Sequence, residues 1–85
     1  NHIAWELYLD WGALDDEMRE FAIETARQSA KAADSDPTIL DTLACCLFSA
    51  GQTTEAVQLM RRCILIEPNR ELWRERLEMF LAKEI

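Results

Sequence analysis

The sequence predicts an all-α domain of five helices, and three observations carry that expectation. Apolar residues recur with the 3.6-residue helical period in five successive segments. Only 2 Gly and 2 Pro occur in 85 residues, too few to punctuate the many turns of a sandwich or barrel. Those few breakers, with clustered Asp, Ser and Thr, fall between the periodic segments, where helices stop and start. The length allows one domain. A chain this short has a thin core, since even a 60-residue domain buries only about 60% of its unfolded surface.

Each element has its own justification. The first, about residues 2–10, places Ile3, Ala4, Leu7, Tyr8 and Trp11 on one stripe. After Gly12, Asp15-Asp16-Glu17 supplies carboxylates suited to the positive end of a second helix. That helix carries Met18, Phe21, Ala22, Thr25, Ala26, Ser29, Ala30 and Ala33 at i, i+3, i+4, i+7 spacing. The small side chains in this stripe let another helix approach closely. Asp34-Ser35-Asp36-Pro37 then reads as a stop followed by a start, with Asp36 as cap and Pro37 at the first helical position.

The third helix runs to about Ala50 with Ile39, Leu40, Leu43, Ala44, Leu47 and Phe48 on its buried side, and Gly51 ends it in the left-handed conformation. Thr53 or Thr54 is the expected cap of a fourth helix with Glu55 in its first turn and a stripe of Ala56, Leu59, Met60, Cys63 and Ile64, closed before Pro68. A fifth helix, about residues 70–84, carries Trp73, Leu77, Phe80 and Leu81 among many charges. Glu71 with Arg74, and Arg74 with Glu78, are helical neighbours on its solvated side, worth about 0.2–0.5 kcal/mol each.

Charge and chemistry exclude several function classes. The chain carries 9 basic and 16 acidic residues, a net charge of −7. Residues 1–60 hold three basic side chains against eleven acidic ones, while residues 61–85 hold six against five. Phosphate neutralisation needs a positive surface, so neither nucleic acid nor an anionic membrane is an expected partner. No run approaches the ~20 apolar residues of a membrane span. Nor does the start resemble a signal peptide; because it opens abruptly within an apolar pattern, the chain is expected to be a piece of a longer protein. Cys45, Cys46 and Cys63 form an odd set without a C-x-x-C pair. They read as small buried or half-buried apolar side chains, a usage that favours a reducing compartment and a lean towards the cytoplasm.

No enzyme chemistry is expected. The single His is His2, with no ligand spacing around it, so neither a metal nor a catalytic base is predicted. Gly12 and Gly51 stand alone, so no phosphate-cradling loop exists and no cofactor is called for. The acids at 15–17 are capping residues before they are an acid pair.

Self-similarity then organises the chain. Leu40, Leu43, Ala44, Leu47, Gly51, Ala56, Met60, Cys63 and Pro68 fall at signature positions of a 34-residue pattern, and this segment resembles a tetratricopeptide repeat (TPR). Upstream, Ile3-Ala4 and Leu7-Tyr8 match Leu43-Ala44 and Leu47-Phe48 at an offset of 40, whereas Ala22 matches Ala56 at 34. The difference implies about six extra residues in the first turn, around Trp11–Glu17. Downstream, Leu77 and Leu81 follow Leu43 and Leu47 by 34 residues. The resulting organisation is a divergent repeat over 1–36, a repeat over 37–69 and a closing helix over 70–85. The combination resembles repeat modules appended to larger bacterial proteins, including thioredoxin-like ones.

What the resemblance implies is a TPR-like α-α superhelix of antiparallel helix-turn-helix repeats that binds protein rather than transforms a substrate. Stacked hairpins curve into a solenoid whose concave face is lined by each repeat's first helix. The positions that face the groove in the family map here to His2, Trp5, Tyr8 and Leu9, then Asp41, Thr42, Cys45 and Phe48, then Arg76 and Met79. Aromatic and sulfur-bearing side chains of this kind are enriched at interaction hot spots. The implied function is a non-catalytic protein–protein interaction or scaffold module that takes a peptide or helix, basic or apolar in character. The alternative is an accessory domain of a larger protein, using the same surface for homodimerisation or for docking on the parent chain.

Overall fold

In a computed structural model of the chain, which describes residues 2–84 and the side chains from 3 to 83, five α-helices follow one another. They are α1 (His2–Leu9), α2 (Asp16–Ala32), α3 (Pro37–Ser49), α4 (Thr53–Ile66) and α5 (Glu71–Glu84), and no strand occurs among the described residues. A short 3-10 turn, Trp11–Ala13, occupies the stretch where the repeat register required extra residues. Arg19 anchors that turn by donating from Nε and one terminal nitrogen to the Trp11 carbonyl at 3.2 and 3.0 Å, while its guanidinium lies 5.5 Å from the Trp11 ring centroid.

The helix starts follow the expected chemistry at two of three places. Asp15 accepts from the Met18 backbone N–H at 2.8 Å, and Asp36 accepts from that of Thr38 at 3.0 Å ahead of Pro37. Each satisfies an amide that has no partner inside the helix. At α4 the cap position falls on Gln52, which makes no side-chain cap bond, and Thr53 is already helical. The tight entry explains the difference. Gly51 sits at φ +89°, a conformation that glycine adopts without steric cost, and Gln52 donates its N–H to the Leu47 carbonyl at 2.8 Å. The chain reverses so sharply that the α4 start is set by backbone bonds.

Packing places α3 at the centre. Every residue from Leu40 to Leu47 is buried, so this helix has no solvated face along two turns. It packs against α1, α2 and α4, while α4 also packs against α5. Phe48 stacks on Phe80 of α5 with ring centroids 4.3 Å apart. The helices thus form two layers, α1-α3-α5 over α2-α4, in a slab of 35 × 32 × 17 Å. The radius of gyration, 12.0 Å, is close to the ~12 Å expected for a compact chain of this length.

Close approach comes from alanine. Ala4, Ala22, Ala26, Ala44 and Ala56 are fully buried, one or more on each of the first four helices, and Leu40, Leu47, Met60, Trp73 and Phe80 fill the space around them. The apolar stripe of α2 is narrower than its sequence pattern predicts. Met18 is exposed and Phe21 is 52% exposed, whereas Ala22, Ala26 and Ala30 carry the contact. Small side chains bring the neighbouring backbone so near that the flanking large ones are left at the rim.

Replacing a buried alanine at the centre is therefore costly. Ala44→Leu inserts three carbons where no space exists, and it is expected to lower unfolding stability by about 1–3 kcal/mol. Urea denaturation followed by circular dichroism measures this; an unchanged midpoint would contradict the packing described.

Candidate functional site

Three helices in the α1-α3-α5 layer meet around a cleft of about 320 Å³, lined by Trp5, Thr38, Asp41, Thr42, Arg70, Leu72, Trp73 and Arg76. The floor belongs to α3. The walls are Trp5 from α1 on one side and Leu72, Trp73 and Arg76 from α5 on the other. Trp5 is half-buried and tilted against Tyr8, one helical turn away, with centroids 5.2 Å apart. Trp73 is held in place by its indole N–H, which donates to Glu67 Oε1 at 3.0 Å, and by the Arg70 guanidinium 4.7 Å from its ring centroid.

The floor carries a charge that the interior must accommodate. Asp41 is only 5% exposed. It faces Arg76 of α5, whose Nη2 donates to Asp41 Oδ2 at 3.2 Å. The Arg76 Nε lies 3.1 Å from Oδ1, but its N–H does not point at that oxygen and is left without a hydrogen-bond partner. The pair is thus close and partly desolvated, yet joined by one good hydrogen bond instead of a two-pronged fork. Burial pushes the Asp41 carboxyl above its ordinary value, outweighing the opposing pull of Arg76. Beside it, Cys45 Sγ donates to Asp41 Oδ1 at 3.6 Å. Thr42 satisfies itself by donating to the Thr38 carbonyl at 3.1 Å.

Tyr8 closes this polar chain from the α1 side. Its hydroxyl is pushed up first by burial and then by Cys45, while Arg76 pulls the other way. The three thiols are poor nucleophiles. Burial raises Cys45 and Cys63 to about 12 and Cys46 to about 11, against an ordinary value near 8.5. All three are free and buried, as small apolar residues would be.

The residues singled out from the sequence divide into groups. Trp5, Asp41, Thr42 and Arg76 come together in the cleft, and Tyr8 and Cys45 adjoin it through the Asp41–Arg76 pair. Phe48 is engaged in the α3–α5 stack. Leu9 and Met79 are exposed and do not line the cleft, and the His2 side chain lies outside those described. Sequence reasoning missed Thr38, Arg70 and Leu72 as lining, and it placed Trp73 only in the core. A signal existed for Arg70 and Trp73, since their spacing at the start of α5 puts a cation over the indole.

No group of three or more His, Cys, Asp or Glu side chains among the described residues is placed to hold a metal ion. Among the described residues no helix is long and apolar enough to cross a membrane. No protein-family model, curated protein or solved structure matches this chain.

The buried groups generate three predictions. Asp41→Ala strands the Arg76 guanidinium and is expected to cost about 3 kcal/mol, whereas the double replacement Asp41→Leu with Arg76→Met is expected to be close to neutral. The pH dependence has a definite sign. A carboxyl raised on folding contributes its stability fully below the unfolded value, about 3.9, and loses it as pH rises through the folded value. Relative to Asp41→Asn, the parent chain is therefore expected to lose stability as pH climbs from about 4, measured by denaturation across that range. The thiols give a separate test. At pH 8, Ellman's reagent is expected to modify none of the three on the native protein beyond the rate of unfolding, and all three in guanidinium.

Proposed function

We propose that the chain is a non-catalytic interaction module of TPR-like architecture, and that it holds an extended or helical peptide in the cleft between α1 and α5. The observation that carries this reading is the juxtaposition of Trp5, Leu72 and Arg70 around an open cleft whose floor is already neutralised by the Asp41–Arg76 pair. An occupant gains apolar contact with Trp5 and Leu72 without having to desolvate an isolated charge below it. The 34-residue register of Leu43 and Leu47 with Leu77 and Leu81, and the layer of first helices α1-α3-α5, support the same reading.

The cleft also sharpens the character of the partner. It contains two guanidiniums and one carboxylate, so its own charge gives a basic segment no advantage. The acidity of residues 1–60 lies largely on exposed positions such as Glu17, Glu20 and Glu24 of α2, outside the cleft. An apolar or aromatic side chain entering between Trp5 and Leu72, with a polar or acidic group near Arg70, fits the lining best.

Selection from a displayed library of random peptides tests this. Selected peptides are expected to share an apolar anchor and to lose about tenfold or more in affinity on Trp5→Ala, with helical circular dichroism unchanged. Failure to select any peptide, or binding indifferent to Trp5→Ala, would remove the proposal.

A further inference from the structure

The interior of the molecule contains a worked example of one of its own edges. Between the two layers runs a seam lined by Arg27, Ala30 and Lys31 of α2 and by Leu43 of α3. Exactly one repeat length, 34 residues, further on stand Arg61, Ile64 and Leu65 of α4 and Leu77 of α5, and these four line a second cleft at the outer edge of the slab. The correspondence holds at all four positions.

In the inner seam the covering element is visible. It is α4, which lays Glu55, Leu59 and Arg62 along the same lining. Glu55 takes a two-pronged bond from Arg27, with Nη1 to Oε2 at 2.7 Å and Nη2 to Oε1 at 3.1 Å. One turn later Leu59 is buried over Leu43, which is left 4% exposed. Arg62 completes the contact by donating to the Asp34 carbonyl at 2.9 Å.

At the outer edge nothing among the described residues plays these parts. Arg61, the counterpart of Arg27, is exposed and has no carboxylate partner there; Leu77, the counterpart of Leu43, is only half-buried. The lining has moreover become more apolar. Ile64 replaces Ala30, and Leu65, 81% exposed, replaces Lys31. A lone exposed leucine needs no explanation. A leucine flanked by an isoleucine, a second leucine and an unpartnered arginine, in the register of a seam that a helix covers elsewhere in the same molecule, does.

We infer that the α4–α5 edge formed by Arg61, Ile64, Leu65 and Leu77 is a second docking surface, and that its occupant is an amphipathic helix of a partner protein presenting a carboxylate and, one turn later, a leucine-like side chain. The carboxylate takes the guanidinium of Arg61 in the bidentate geometry that Glu55 takes with Arg27, which a lysine would not reproduce. The apolar residue covers Leu77 and Leu65 as Leu59 covers Leu43. This surface is separate from the Trp5 cleft, so it stands or falls independently of the proposed function.

The probe is a fluorescein-labelled peptide with the sequence of residues 53–66, Cys63 replaced by Ser, stapled on its solvent side because a free helix of this length is marginal in water. Fluorescence anisotropy with the full chain is expected to show saturable binding. Arg61→Glu is expected to weaken it about tenfold or more, and a peptide carrying Glu55→Arg to restore it on that variant. Leu65→Lys is expected to abolish binding, whereas Trp5→Ala leaves it unchanged. Both edge substitutions lie on exposed positions, and unaltered circular dichroism confirms that they fold. Absence of saturable binding, or binding indifferent to Arg61→Glu and Leu65→Lys, overturns the inference. So does light scattering that detects a dimer of the chain dispersed by Leu65→Lys, because the face then belongs to a second copy.

Discussion

The burial of α3 on every side is the constraint from which the remaining features follow. A helix with one solvated face can place its polar residues there. Along Leu40–Leu47 no such face exists, so each position must be small, apolar or internally satisfied. Ala44, Cys45 and Cys46 meet the first two conditions. Thr42 meets the third through the Thr38 carbonyl. Asp41 alone cannot, and its solution lies on another helix, where Arg76 reaches back across the layer. The ion pair is therefore a consequence of centrality. It also ties α5 to the middle of the slab at a point separate from the Phe48–Phe80 stack.

Much of this was legible in the sequence. Five helical stripes, the carboxylate caps at Asp15 and Asp36, and the glycine at Gly51 all depend on neighbours within a few residues, and those local rules hold here. The burial of the cysteines was legible from residue type, since small thiols without a C-x-x-C pairing read as apolar side chains, and only Cys63 stands on one of the apolar stripes. Where the sequence misled, the deciding force was long-range. Met18 and Phe21 satisfy the helical period but are pushed to the rim by the close approach of Ala22 and Ala26. Gln52, a poor cap, is the cap residue because the Gly51 reversal leaves no room for a longer entry.

The site was legible in part for an equally physical reason. The candidate groove positions came from the resemblance to a tetratricopeptide repeat, and of these Trp5, Asp41, Thr42 and Arg76 do converge. No periodicity, however, reports that Asp41 and Arg76, 35 residues apart, neutralise one another, which leaves the floor of the cleft without a net charge. Nor does a stripe distinguish Phe48, committed to Phe80, from Trp5, which keeps a face open. Pairing across helices is invisible until the helices are placed.

One consequence concerns how the molecule opens. Its denser contacts join helices that are neighbours in the chain or one removed, and in such an array a helix held by few contacts opens at lower free energy than the centre. Helix α1 is only 8 residues long, yet it supplies the Trp5 wall of the cleft, while the opposite wall rests on α5. A molecule spanning the two walls would link two helices that otherwise loosen separately. Occupancy would then be felt as cooperativity, with slower amide exchange in both helices at once and a single sharper melting transition, without any change in the fold.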